Sequence, residues 1–239
     1  TLVDGKGEPI PGPNGKNQVR TMLMPKADVE MEDIWNVMGL RGTASDGYIV
    51  KDLFVPDGNT LIRDHAPNRW HDGTMYKFMQ TNMYASGFSG LAMGVARQVL
   101  DEFHKLAVKK TPQRQSSTMA LNPVVQYEYG QARVWLDAAR CFQRSELDDM
   151  FDEAEATGEV TVDHRMRLRI ATTHAIHEAK KAADLMYEAA GASVIFNSAP
   201  FERRFRDLHT VTQQTQGRKA HYQIVGSYWF GNEPDLSSL

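Results

Sequence analysis

The 239-residue sequence predicts an α+β protein that is mostly α: a partial antiparallel β domain followed by an antiparallel four-helix bundle. Three observations predict this. Gly and Pro crowd the first quarter at Gly5, Gly7, Pro9, Pro11, Gly12, Pro13 and Gly15, then recur at Pro25, Gly39, Gly42 and Pro56, punctuation that favours strands and turns. From about Phe78 onwards, apolar residues recur three or four apart, the period of an amphipathic helix. The helical part is then cut by cap signals into four stretches, which bury their apolar stripes most economically against one another.

Taken in order, residues 19–24 and 48–55 are short β-favouring runs, the second reading Y-I-V-K-D-L-F-V between Gly47 and Pro56, with residues 35–40 between them. Three or four such strands are too few for a closed β domain, so the sheet is expected to be partial. Phe88, Leu91, Val95, Val99, Phe103 and Leu106 mark the first long helix, which runs to about Lys110. After a polar loop at 111–121, Asn122 and Pro123 supply an N-cap and a proline at the first helical position. The second helix runs towards Gly158 with Val125, Tyr129, Ala132, Leu136 and Ala139 on its apolar face. A third opens near Asp163, carries Met166, Ile170, Ala179, Ala183 and Met186, and stops around Gly191 by glycine C-cap logic. The fourth begins near Pro200. The boundary is placed so that 1–74 is β domain and connecting loop and 75–239 is the bundle.

Charge and cysteine content narrow the function. With 27 Lys+Arg against 30 Asp+Glu and a net charge of −3, nothing supplies the basic field that nucleic acid or an anionic membrane requires. Cys141 is the single cysteine, which excludes an intrachain disulfide and fits a reducing compartment. No apolar stretch approaches a membrane span or a signal-peptide core, and a cytoplasmic location is expected.

Several clusters could carry chemistry. His174, His177 and Glu178 share one helix face, but H-x-x-H-E lacks the spacing of a zinc protease, and no metal site is expected. Gly87, Gly90 and Gly94 cost the first long helix propensity; close helix packing is the favoured reason and backbone approach by a flat ligand the other. Arg203, Arg204 and Arg206 sit where the helix dipole prefers acids, so they either pair with acidic groups on neighbouring helices or meet a phosphate or carboxylate. The run H-T-V-T-Q-Q-T-Q from His209 to Gln216 reads as a helix with hydroxyls and amides on nearly every side, either facing solvent or lining a cavity.

Two segments bring a family resemblance. W-N-V-M-G-L-R-G-T-A-S-D-G-Y-I-V-K-D-L-F-V-P at 35–56 resembles the end of the middle β domain of acyl-CoA dehydrogenases, W-x-x-x-G-x-R-x-T-x-S followed by a strand ending V-P. F-E-R-R-F-R-D-L-H-T-V-T-Q-Q at 201–214 resembles the E-R-x-x-R-D helix shared by those dehydrogenases and the two-component flavin-dependent monooxygenases. The resemblance covers nearly the whole chain, including the Gly- and Ala-rich helix Y-A-S-G-F-S-G-L-A-M-G-V-A-R between the two segments. It implies a β domain packed on a four-helix bundle, flavin between them, and a homotetramer built as a dimer of dimers. It also implies an N-terminal α domain and the first half of the β domain, so this chain is expected to be the C-terminal part of a larger enzyme.

The resemblance assigns roles unevenly. The dehydrogenases that carry their base on this last helix have a glutamate nine residues after the R of R-D; here that position is Thr215, which cannot take an α-proton. Several monooxygenases have a histidine eight residues after it; here it is Gln214, which donates hydrogen bonds but shuttles no proton at neutral pH. His209 is the possible substitute, although the helical period points it elsewhere. Arg41, Thr43 and Ser45 occupy the loop that lies near the cofactor in the family, or only close a turn. Arg114 matches an arginine that reaches flavin phosphates of a neighbouring subunit, and Gly191 and Ser193 match a small-residue turn at the same interface.

The resemblance therefore implies a flavin oxidoreductase, with a monooxygenase favoured: FMN or FAD, reduced by a separate reductase, adds oxygen at C4a, and the protein keeps that peroxide dry and aims it at a small-molecule substrate. Two alternatives stay open, an acyl-CoA dehydrogenase with its base elsewhere and a non-catalytic fragment that keeps assembly surfaces.

Overall fold

The computed structural model describes residues 1–11, 17–64, 69–233 and 236; Gly12, Pro13 and Gly15 of the N-terminal punctuation lie outside the described residues. The chain divides into two units, one formed by Thr1–Asn36 and Arg41–Tyr76, the other by Val37–Leu40 and Lys77–Leu239.

In the first unit, β1 (Thr21–Met22) pairs antiparallel with β4 (Thr60–Leu61), and β2 (Glu30–Glu32) with β3 (Gly47–Ile49). The strands are shorter than the runs at 19–24 and 48–55 suggested. Pro25 stops the first, and the second turns at Asp52, whose φ of 48° is left-handed and incompatible with a continuing strand. Arg20 ties the β1–β4 ribbon to its connection, donating to Asp57 Oδ1 and Thr60 Oγ1 at 3.1 Å each. None of the described residues of this unit is fully buried, as two-stranded ribbons of two or three residues offer no interior.

The second unit is built on three long helices, α1 (Gln80–Ala107), α2 (Pro123–Thr157) and α3 (Val162–Ala190). Two shorter ones follow, α4 (Glu202–Val211) and α5 (Ala220–Trp229). The expected caps form: the Asn122 side chain accepts from the Val124 N–H, Thr161 does the same for His164, and Gly158 at φ 87° ends α2 in a conformation that favours glycine. α3 runs between the other elements, packing on α1, α2, α4 and α5.

The core has two chemically different ends. Towards the C-terminus of α1 it is apolar, with Ala92, Ala96, Val99, Leu100, Phe103, Leu136, Ala183 and Met186 in one cluster. The α1 stripe is therefore rotated from the sequence expectation. Leu91 is exposed and small residues at 85, 92 and 96 face inwards, because only short side chains let α1 and α3 approach closely along their length. Towards the N-terminus of α1 polar residues are buried as well, Asn82, Ser89, Gln143, Glu146, Arg169, Thr172, Thr173 and, from the C-terminal segment, Gln216 and His221, beside Ala85, Met150 and a small apolar cluster on Met166 and Val225.

His221 makes this polar end sensitive to pH. Burial first, then the positive charges of Arg169 and Arg218, push its pKa down to about 4. The unfolded chain, with an ordinary imidazole, binds the proton more readily. The stabilisation is thus complete above about pH 6.5 and disappears as pH falls towards 4, up to about 3 kcal/mol. Thermal melts across that window should lose this slope in His221→Gln; an unchanged slope would place the titration elsewhere.

The fourth long helix is a point of correction. The run from His209 to Gln216 is not one helix: α4 ends at Val211, residues 212–214 turn, Thr215–Gly217 form a 3-10 turn, and α5 starts afresh at Ala220. The Thr210 and Thr212 hydroxyls donate back to the carbonyls of Arg206 and His209 at 2.9 and 2.8 Å, the local bonding that competes with a continuing helix. Gly217 then lets the turn fold back, since a Cβ there would lie 3.0 Å from the Thr212 carbonyl oxygen. Among the described residues no helix is long and apolar enough to cross a membrane.

Candidate functional site

The two segments that carry the family resemblance meet in the structure. Val37–Leu40 docks on α4 so closely that a Cβ on Gly39 would stand 2.2 Å from the Arg206 carbonyl oxygen and 2.5 Å from Thr210 Oγ1. The Leu40 amide, on a residue at φ 54°, donates to Asp207 Oδ1 at 2.7 Å, and Leu40 packs on the apolar core. Arg206 donates to the Met38 carbonyl and doubly to Glu202, at 2.9 and 3.1 Å. The hydrogen bond and charge of Arg206 hold the Glu202 carboxyl below its usual range. Arg204 instead binds Gln98 Oε1 and the Pro200 carbonyl. The acid that Arg206 meets is therefore one turn back on its own helix rather than on a neighbouring one, and its remaining valence fastens the chain.

The break between α4 and α5 is gripped by a row on α3. Arg169, Thr173 and His177, each four residues apart, present polar groups on one face. Arg169 Nη1 donates to Gln216 Oε1; Thr173 Oγ1 donates to the Gln216 carbonyl at 3.5 Å and lies 2.8 Å from His221 Nδ1. His177 Nε2 lies 2.8 Å from the Gly217 carbonyl, and because a carbonyl only accepts, that nitrogen carries the proton. Burial, against the Gly217 bond, lowers its pKa. The three residues first weighed as a metal cluster thus have separate partners: Glu178 pairs with Lys181, and the His174 ring stands edge-on to Phe142. Among the described residues no group of three His, Cys, Asp or Glu is arranged to hold a metal.

Gln214 caps the 3-10 turn, its Oε1 accepting from the Gln216 N–H at 2.6 Å. His209 lies in α4, donating from Nδ1 to the Phe205 carbonyl at 2.8 Å, with its ring on Phe205 and Nε2 3.6 Å from Asp184 Oδ1. The two share no hydrogen-bond partner.

The glycines of α1 require a second correction. Close helix packing does not account for them, since a Cβ on Gly87, Gly90 or Gly94 would meet nothing within 4 Å. They form an open strip of bare backbone along the helix, beside the exposed apolar side chains of Met83, Tyr84 and Leu91. Nothing within the described chain repays their helix-propensity cost.

The remaining positions divide between the units. Arg114 is exposed at φ 64° in the loop before α2. Gly191, at φ 63°, ends α3, and Ser193 in the following turn shares a groove of about 350 Å³ with Lys105, Lys109, Lys110 and Phe201. Those lysines went unread in the sequence, although K-x-x-x-K-K at the end of a helix is the signal for a basic edge. In the first unit, Arg41 and Thr43 lie in a 3-10 turn and Ser45 just beyond it, all three exposed, between the left-handed residues Leu40 and Ala44. Arg169, Thr173 and His221 were also missed, since no sequence pattern shows that a polar residue on a helix faces inwards.

A helical unit with a broken last helix, whose R-D pair fastens a V-M-G-L segment, has the acyl-CoA dehydrogenase-like fold. The chain belongs to the acyl-CoA dehydrogenase C-terminal domain family: residues 86–217 match its model, ending on the 3-10 turn itself. It is 31% identical over 215 residues to indole-3-acetate monooxygenase of Acinetobacter baumannii, covering 90% of this chain and 55% of that protein. It is 27% identical over 223 residues to the flavin-dependent monooxygenase oxygenase subunit HsaA of Mycobacterium tuberculosis, covering 90% and 56%. The crystal structure of the HsaA monooxygenase from M. tuberculosis superposes with a TM-score of 0.81 at 26% identity, over 95% of this chain and 60% of that one. The chain thus spans little more than half the length of the relatives it matches.

Proposed function

We propose that this chain is part of a flavin-dependent monooxygenase that uses reduced FMN or FAD, delivered by a separate reductase, and O2 to hydroxylate a small organic substrate. The observation that carries this reading is the 3-10 turn: where an acyl-CoA dehydrogenase of this type needs a carboxylate base, residues 212–219 offer Thr, Gln, Gly, Arg and Lys and no acid. The named monooxygenase relatives support it.

The residues present fit a flavin in two respects. The bare α1 strip at Gly87, Gly90 and Gly94 has the smooth surface against which a flat ring packs, and Lys109 in the groove beside Ser193 and, separately, Arg114 in the loop before α2 offer donors for a phosphate, whereas Lys105 pairs with Glu102 and Lys110 donates to the Ala190 carbonyl. When bound, reduced flavin supplies the electrons that activate O2. The chain's own tasks are to seat the ring, exclude water and orient donors: Gln214 takes the catalytic position, His209 stands by with its Nδ1 proton fixed on Phe205, and Arg41, Thr43, Ser45, Arg114, Gly191 and Ser193 hold the cofactor. In this reading the β part ends near residue 74, the α4–α5 pair serves as the fourth bundle helix, and the enzyme assembles as a dimer of dimers in the cytoplasm.

An anaerobic titration of the complete protein tests it. Photoreduced FMN or FAD should bind at least roughly tenfold tighter than the oxidised form, a difference of about 1.4 kcal/mol. Absence of binding to either would sink the proposal, and bleaching of bound oxidised flavin by an acyl-CoA would favour the dehydrogenase.

A further inference from the structure

Among the described residues Arg169 is the largest fully buried side chain, and no carboxylate lies within ion-pair distance of it. Its Nη1 donates to Gln216 Oε1, while its Nε is buried without a hydrogen-bond partner. Burial and the neighbouring Arg165 bring its pKa down to about 10, so it remains charged at neutral pH. An unpaired buried cation is costly, and an apolar side chain of similar length would serve stability as well or better. The cost points to a role other than stability.

What Arg169 holds is Gln216, and what Gln216 holds is Gln214. The Gln216 N–H occupies Gln214 Oε1 at 2.6 Å, so the orientation of the Gln214 amide is fixed with its oxygen turned back into the turn. Its Nε2 group makes no hydrogen bond within the described residues and, on a half-buried side chain, is left to donate outwards. Thr173 and His177 hold the Gln216 and Gly217 carbonyls beside it.

We propose that Arg169 is a positioning residue, which through Gln216 locks the Gln214–Gly217 turn so that Gln214 presents an NH2 donor to an oxygen atom at the reacting centre. This rests on the reading of the turn as part of a monooxygenase site.

Hydrogen–deuterium exchange on Arg169→Met tests the holding role without reference to activity. Exchange in residues 212–219 should accelerate roughly tenfold, while protection of α1–α3 and the melting temperature stay at or above wild type. Arg169→Lys, which keeps the charge and a donor, should restore most of the protection and guards against misfolding of the Met variant. With photoreduced FMN or FAD, whichever the wild-type protein uses, and O2 in the presence of indole-3-acetate, Arg169→Met and Gln214→Ala should raise the fraction of oxygen released as hydrogen peroxide to a similar degree. Unchanged exchange of the turn in Arg169→Met overturns the proposal, as does a peroxide yield that moves in Gln214→Ala but not in Arg169→Met. If wild-type protein uses neither reduced FMN nor reduced FAD, the monooxygenase reading fails, and the exchange experiment still decides whether Arg169 holds the turn.

Discussion

Gly39→Ala should destabilise the helical unit by about 3 kcal/mol, near the upper end for a single inserted methyl group. The added Cβ would lie 2.2 Å from the carbonyl oxygen of Arg206 and 2.5 Å from its carbon, both backbone atoms of a helix that cannot give way locally. Relief requires Val37–Leu40 to lift from α4. That movement breaks the Leu40–Asp207 and Met38–Arg206 bonds and withdraws Leu40 from the apolar core. Removing the Asp207 acceptor alone, by Asp207→Ala, should cost less, about 1–2 kcal/mol, because the steric fit survives. Chemical denaturation monitored by helix signal checks both. A Gly39→Ala variant as stable as wild type would show that this segment does not pack on α4 in solution.

Replacing Gly87, Gly90 and Gly94 together by alanine should move stability and function in opposite directions. Each site is within a helix and each new methyl group enters open space, so each substitution should add about 0.5–1 kcal/mol through helix propensity. In the same variant the three methyl groups roughen the strip on which the flavin ring is proposed to lie, and affinity for reduced FMN should fall at least roughly tenfold, about 1.4 kcal/mol. A higher melting temperature with unchanged reduced-flavin affinity would remove the strip from the site. A lower melting temperature would mean that something already occupies the space.

How far the sequence reveals this protein depends on the range of the forces involved. Helix ends are set by neighbours a few residues away, and Asn122–Pro123, Gly158 and Gly191 mark them correctly. The aliphatic end of the core is legible for the same reason, since Val99, Phe103, Leu136 and Met186 lie on periodic stripes. The interruption after Val211 is not, because the run from His209 to Gln216 has neither proline nor glycine, and the next glycine, Gly217, comes after the break. What breaks the helix there is a pair of hydroxyl bonds at the end of α4 together with the grip of α3 on Gln216 and Gly217, residues 40 or more positions away. Motif matching did find both halves of the α4 clasp, Gly39 in one segment and Arg206–Asp207 in the other. It could not show that they touch, since they lie 167 residues apart in sequence. Likewise the glycines of α1 were noticed for their cost, but only the structure distinguishes a packed face from an open one.

The most direct test of the monooxygenase assignment is isotopic. The complete protein, supplied with photoreduced FMN or FAD and ¹⁸O2, is challenged with indole-3-acetate and a panel of simple phenols, and products are read by mass spectrometry. A hydroxylated product carrying one ¹⁸O atom from O2, formed only when reduced flavin is present, is the expected result. Reoxidation of the flavin with all oxygen recovered as hydrogen peroxide across the panel, together with desaturation of an acyl-CoA by the oxidised holoenzyme, would contradict it.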